Sequence, residues 1–215
     1  ILCEWLNVRA SGRVDSAYCT RKERPKLFEI FRSPHFISDE LFPANLKWLA
    51  SRDVRVNCIS GRSYFVFELL SQYLETNGNC VRKVTLSSRT SADEFVAIIA
   101  VHCRRLQSVE FNQAGPNVAL LLQNNPDLEK VTFFSTGQES LNNLHRDFST
   151  ISLPKVHTVC VFQSNLRTDC ALSLYKMFPN VTKLHVPYHG PVLHVPPETT
   201  LYVRLVALLP QLTTL

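Results

Sequence analysis

One phrase recurs along this chain and limits what the chain can become. It reads "CRRLQSVEF" from Cys103, "PDLEKVTFF" from Pro126, "PKVHTVCVF" from Pro154 and "PNVTKLHVP" from Pro179. A plainer copy starts at Val81, with Val84 and Leu86, and another P-x-[LV]-x-x-[LV] start stands at Pro210. The first apolar positions, Val81, Leu106, Leu128, Val156, Val181 and Leu212, are separated by 25, 22, 28, 25 and 31 residues. A period of this size marks units too small to bury their own apolar faces, which become stable only when stacked.

The stretches between phrases carry helix signals. In "TSADEFVAIIAVHC", Ser91 suits an N-cap, and Asp93 and Glu94 suit the positive helix end. Phe95, Ile98, Ile99 and His102 recur there at helical spacing. "GPNVALLLQNN" puts Pro116 in a first helical turn, where its missing donor costs nothing. "TDCALSLYKMF" and "PETTLYVRLVALL" read as helices too, and Gly137 to Ile151 carries the stripe Leu141, Leu144 and Phe148. The proline that follows a helix offers no N–H and pushes its predecessor toward extended backbone, so it separates helix from strand. The repeated unit is therefore strand, turn, helix.

These copies resemble leucine-rich repeats, and Cys103 ahead of Leu106 resembles the cysteine-containing subtype common in F-box substrate adaptors. The resemblance covers about Val54 to Leu215 and implies an α/β solenoid, with a curved parallel sheet inside and helices outside. One position departs from the family. The site usually held by Asn or Cys carries Arg89, Ala114, Thr136, Ser164 and His189, which implies irregular repeats.

Residues 1–45 do not repeat. Apolar groups at Ile1, Leu2, Trp5 and Leu6, at Val14, Ala17 and Tyr18, and at Leu27, Ile30 and Phe31 suggest three short helices. A helical module followed by repeats is similar to F-box proteins, whose module binds a Skp-type adaptor of a cullin-RING ubiquitin ligase. In that resemblance "ILCEWL" and "VDSAYC" would bring Leu2, Leu6, Val14 and Cys19 near the adaptor. The Leu-Pro opening and a tryptophan after "VDSAYC" are missing from the pattern. The other use of residues 1–45 is a helical cap, which an open solenoid needs in any case. Residues 46–215 would then be the solenoid. Leu46, Trp48 and Leu49 read as a helix end, with Trp48 a plug over the sheet. Val54, Val56 and Cys58 read as the first strand.

Composition narrows the function. The chain has 215 residues, 45% hydrophobic and 19% charged, which suits a globular core rather than disorder. It opens without methionine and stops within a copy of the phrase, so an excerpt of a longer protein is expected. The longest strictly apolar run, Phe95 to Val101, is far short of a membrane span. The net charge of +5 comes from 23 basic and 18 acidic residues that are interspersed. The cluster "RKERPK" at Arg21 to Lys26 contains a glutamate and reads as a solvated face, so nucleic acid is a poor fit. Seven cysteines, an odd number without a C-x-x-C pair, point to free thiols in the cytoplasm or nucleus.

No enzyme signature emerges. Six glycines leave little room for a phosphate loop, and neither H-E-x-x-H nor G-x-S-x-G occurs. His185, His189 and His194 are interrupted by prolines and lack a carboxylate, so they read as loop histidines rather than metal ligands. Cys160 and Cys170 near His157 lack an orienting group. No cofactor is expected.

The expected function lies on the strands. Side chains alternate in direction, so while Val84 and Leu86 face the core, Lys83, Thr85 and Ser87 face the concave surface. The same register puts Ser108, Glu110 and Asn112 there, with Lys130, Thr132 and Phe134, then Thr158, Cys160 and Phe162, then Lys183, His185 and Pro187. The predicted partner-binding set is Lys83, Thr85, Glu110, Asn112, Lys130, Thr132, Phe134, Thr158, Phe162, Lys183 and His185. Phe134 and Phe162 side by side, rimmed by lysines, suit a binding hot spot; the alternative is that a loop covers them and they are core. The expectation is a protein-interaction domain that recognises substrates for a ubiquitin ligase, the alternative being a repeat scaffold or sensor without a ligase connection.

Overall fold

A computed structural model describes residues 8–17, 22–33, 36–60, 66–86, 93–111, 116–134, 148, 150–162, 175–185 and 213. Helices α1 (Val8–Ala17) and α2 (Arg24–Arg32) lead into strand β1 (Ile37–Leu41), helix α3 (Pro43–Arg52) and strand β2 (Arg55–Ser60). Helix α4 (Phe67–Asn77), strand β3 (Lys83–Leu86), helix α5 (Asp93–His102), strand β4 (Ser108–Phe111) and helix α6 (Pro116–Gln123) follow. Strands β5 (Lys130–Phe134), β6 (Thr158–Phe162) and β7 (Lys183–His185) complete the described elements. The class is α/β. Among the described residues all seven strands form one sheet in sequence order, and every adjacent pair is parallel.

The apolar letters of the phrase build the core. Val84, Val109, Val131, Val159 and Leu184 are Cα partners from strand to strand and all are buried. Leu86, Phe111 and Phe133 form the next register position. Phe111 meets Phe133 edge-on at 4.7 Å between centroids, and Phe133 meets Phe178 at 6.1 Å. Such aromatic pairs add about 0.5–1.5 kcal/mol beyond the area they bury. Phe95, Val96, Ile99 and Ala100 of α5 and Val118, Leu121 and Leu122 of α6 join the same core. The helices therefore cover the valine face and leave the opposite strand face to the polar letters.

A second regularity lies just before the strands. The Arg82 N–H donates to the Asn57 carbonyl at 2.7 Å, Gln107 to Arg82 at 2.7 Å, and Glu129 to Gln107 at 2.9 Å. His157 donates to Glu129 at 3.1 Å, Thr182 to His157 at 3.0 Å, and Thr213 to Thr182 at 2.8 Å. Each of these residues directly follows a first apolar position of the phrase, so the backbone ladder keeps step with the repeat although the interval varies. Val81, Leu106, Leu128, Val156 and Val181 beneath it are buried.

Two expectations are corrected. The first strand is β1, ahead of the strand expected from Val54. "ISDEL" has apolar residues only at Ile37 and Leu41, so pairing with β2 imposes the extended form that the pentapeptide's own pattern does not specify. Within β2 the alternation Val54, Val56, Cys58 is also wrong. Ile59 is the partner of Val84 and Cys58 the partner of Lys83, so Val56 and Ile59 occupy the phrase positions, and both are fully buried. The apolar sets 14, 17 and 27, 31 fall on α1 and α2, but Ile30 is exposed. Ile1, Leu2, Trp5, Leu6 and Tyr18 lie outside the described residues, as do Leu141, Leu144 and most of the two C-terminal helix segments.

Candidate functional site

The polar strand face consists of registered rows. Glu40, Cys58, Lys83, Ser108, Lys130, Thr158 and Lys183 are successive Cα partners and form the first row. Ser60, Thr85, Glu110, Thr132, Cys160 and His185 form the next. Phe134 and Phe162 are Cα partners in the row beyond. Asn112, Ser87 and Pro187 lie outside the described residues.

The rows differ in access. Lys83 and Lys183 are exposed, and Ser108, Lys130 and Thr158 are half-buried. In the next row Ser60, Thr132 and Cys160 are buried, Thr85 and Glu110 are half-buried, and His185 is exposed at the end. The expectation that Thr132 and Cys160 stand free on the face is therefore overturned. Alternation fixes the direction of a side chain, not its exposure. Strands about 4.8 Å apart let neighbouring side chains close over a short one in a central position. The Thr132 hydroxyl is buried without a hydrogen-bond partner.

Charge on this face is uneven. Glu110 accepts from the Lys83 ammonium at 3.1 Å and from the Thr85 hydroxyl at 3.1 Å, which neutralises the first lysine. Lys130 and Lys183 make no ion pair with described residues. Partly exposed pairs such as Lys83–Glu110 are worth only about 0–1 kcal/mol, so a competing carboxylate could displace Glu110.

The amino-terminal helices are tied to α3 by one carboxylate. Asp15, nearly buried on α1, accepts from the Trp48 indole at 3.0 Å and from Arg52 at 2.9 and 3.1 Å, with Arg24 3.6 Å away. The Arg52 guanidinium lies 5.6 Å from the centre of the Phe28 ring, and Phe31 packs edge-on against Trp48 at 5.5 Å. Trp48 thus clamps the helices rather than plugging the sheet. Val14, expected at an adaptor, packs against the chain's own core. Leu2, Leu6 and Cys19 lie outside the described residues.

Groups with reactive potential are placed structurally. Ser71 Oγ and His102 Nε2 lie 3.2 Å apart between α4 and α5, but no described carboxylate orients His102 as an activated nucleophile requires. Burial pushes the Cys103 thiol up to about 12, so it stays protonated and inert at neutral pH. Cys58, Cys80, Cys103 and Cys160 take part in no disulfide. No cluster of three or more metal-ligating side chains occurs among the described residues. His185 ends β7, while Cys170, His189, His194 and the five expected ladder positions from Arg89 to His189 lie outside them. No helix among the described residues is long and apolar enough to cross a membrane.

One residue that sequence reasoning passed over joins two repeats. Asn125 is fully enclosed; its Oδ1 accepts from the Leu106 amide at 2.8 Å, and its Nδ2 donates to the carbonyls of Cys103 at 2.9 Å and Leu121 at 2.8 Å. It satisfies the end of α6 and the entry to β4 together. The available signal was an asparagine between a helix and its terminating proline, "NNP". The chain matches no protein-family model and no curated protein.

Proposed function

We propose that this chain is a leucine-rich-repeat-like solenoid acting as a protein-interaction domain in the cytoplasm or nucleus. Its open strand face receives a protein partner, and its amino-terminal helices form an F-box-like module that delivers the partner to a cullin-RING ubiquitin ligase. The observation that carries the interaction reading is the registered first row. Unlike side chains, lysine, serine and threonine, stand at one fixed position on successive strands over an invariant apolar layer. Fixed apolar positions maintain the sheet, while the polar ones can differ without cost to it. The ligase connection rests on the resemblance of residues 1–45 alone.

A second reading is favoured by Asp15 and Val14. Helices anchored to α3 through Arg52 and Trp48 suit a cap, and the domain would then be a scaffold without a ligase. Co-expression of the full-length protein with a Skp-type adaptor, followed by size exclusion with and without residues 1–40, separates the two. A stoichiometric complex lost on truncation supports the ligase reading; a folded protein that forms no complex leaves the cap. The face itself is tested by Thr158→Trp, which places bulk in the first row and should abolish partner capture.

A further inference from the structure

We infer that the occupant of the strand face is an extended, acidic segment of a partner protein, lying across the strands with carboxylates at every third residue. This rests on the interaction reading above and adds the chemistry of the partner. In the first row the lysines fall on alternate strands, Lys83 on β3, Lys130 on β5 and Lys183 on β7, with Ser108 and Thr158 between them. Neighbouring strands are about 4.8 Å apart, so the ammonium groups recur about every 9.6 Å. In the polyproline-II form of an extended chain, which turns once in three residues and rises about 3.1 Å per residue, every third side chain returns to the same face after about 9.3 Å.

Charge favours the same occupant. Across the two rows three lysines stand with two acids: Glu110, which Lys83 and Thr85 already hold, and Glu40 of β1, the Cα partner of Cys58 at the β1 end of the first row. Lys130 and Lys183 are left to an incoming carboxylate. Ser108 and Thr158 stand between the lysines in the same row, each with a hydroxyl able to bond a peptide group. At the centre of the second row Thr132 and Cys160 are buried, so beside Lys130 and Thr158 contact is limited to the first row, which fits a single narrow segment rather than a broad surface. A nucleic acid fits less well. The rows hold Glu110 among the lysines, and no arginine stands in them to grip a phosphate.

The test is fluorescence anisotropy on the full-length protein. Three probes are used: a fluoresceinated peptide with glutamate at every third position and serine and alanine between, the same peptide with glutamine, and oligothymidylate. The glutamate peptide should bind at least about tenfold more tightly than the glutamine peptide, and raised salt should weaken it. Lys130→Glu with Lys183→Glu should cost about tenfold or more, and the milder Lys130→Gln with Lys183→Gln less. Lys155→Glu, at an exposed lysine paired with Asp127 away from the rows, should leave affinity unchanged, with circular dichroism reporting the fold throughout. Equal binding of the two peptides, or glutamate binding indifferent to both lysine pairs, overturns the proposal. Oligothymidylate bound more tightly than the peptide overturns it in favour of nucleic acid. A natural partner lost on Thr158→Trp yet indifferent to the lysine pairs overturns the acidic chemistry and leaves the interaction face standing. A partner indifferent to all of them overturns both.

Discussion

Replacing Asn125 by alanine tests whether repeats are joined by side chains as well as by backbone. The substitution removes three hydrogen bonds of 2.8, 2.9 and 2.8 Å at a site with 1% of its surface exposed. The Leu106 N–H then becomes a buried donor without its partner, and the carbonyls of Cys103 and Leu121 lose an amide donor. An orphaned buried group costs about 1–3 kcal/mol, and each lost bond to a carbonyl about 0.5–1.5 kcal/mol. The expected destabilisation is therefore about 2–6 kcal/mol. Asn124 is an internal control next door: it is only part-buried and donates one bond, to the Ala100 carbonyl at 2.9 Å. Asn124→Ala should cost about 1 kcal/mol. Urea unfolding followed by far-ultraviolet circular dichroism measures both as shifts in midpoint at constant slope. Equal small shifts for the two variants would refute the claim that Asn125 bridges the α6 end and the β4 entry.

Gly78→Ala should destabilise by about 1–3 kcal/mol, because a Cβ at this buried position would lie 2.5 Å from the His102 carbonyl oxygen, a backbone atom with little room to yield; a melting temperature equal to the parent's would contradict the close approach. Stability should fall on the alkaline side. The Cys103 thiol is raised by burial from 9.0 to about 12, so its contribution is complete below pH 9.0 and is lost toward pH 12, by about 1.4 kcal/mol per pH unit. Burial also raises Tyr73, whose hydroxyl donates to the Val54 carbonyl at 2.6 Å, in the same sense; urea midpoints that stay flat from neutral pH to pH 11 would contradict both. Phe134→Ser with Phe162→Ser should leave unfolding cooperative while weakening partner capture, and loss of the fold would assign the pair to the core.

Much of the scaffold was legible because it depends on period alone. Val84, Val109, Val131, Val159 and Leu184 were readable as core from one repeated spacing, and Pro116 as the start of α6 from its missing donor. What escaped depends on neighbours distant in sequence. β1 is a strand through its pairing with β2, and Ile59 takes the place of Cys58 because β3 sets the register. The candidate face was legible in direction but not in depth. Lys83, Lys130 and Lys183 align as the spacing predicts, whereas the burial of Thr132 and Cys160 depends on what stands beside them. Asn125 was hidden because asparagine before proline is also an ordinary surface turn, and only three converging backbone groups distinguish the two.

The backbone ladder from Asn57 to Thr213 has a consequence for how such a chain can grow or shrink. Every rung joins equivalent peptide groups, and the intervals from 22 to 31 residues are absorbed between rungs. Excising residues 82–106 as a block would bring Gln107 to the place of Arg82, opposite Asn57, with Ser108 and Val109 continuing as Lys83 and Val84 did. A cut one residue longer or shorter would join unlike positions and turn the following strand to the other face. Gene duplication and loss can therefore change the length of the polar first row in whole steps, adding or removing one strand position at a time while leaving the bonding at each junction unchanged.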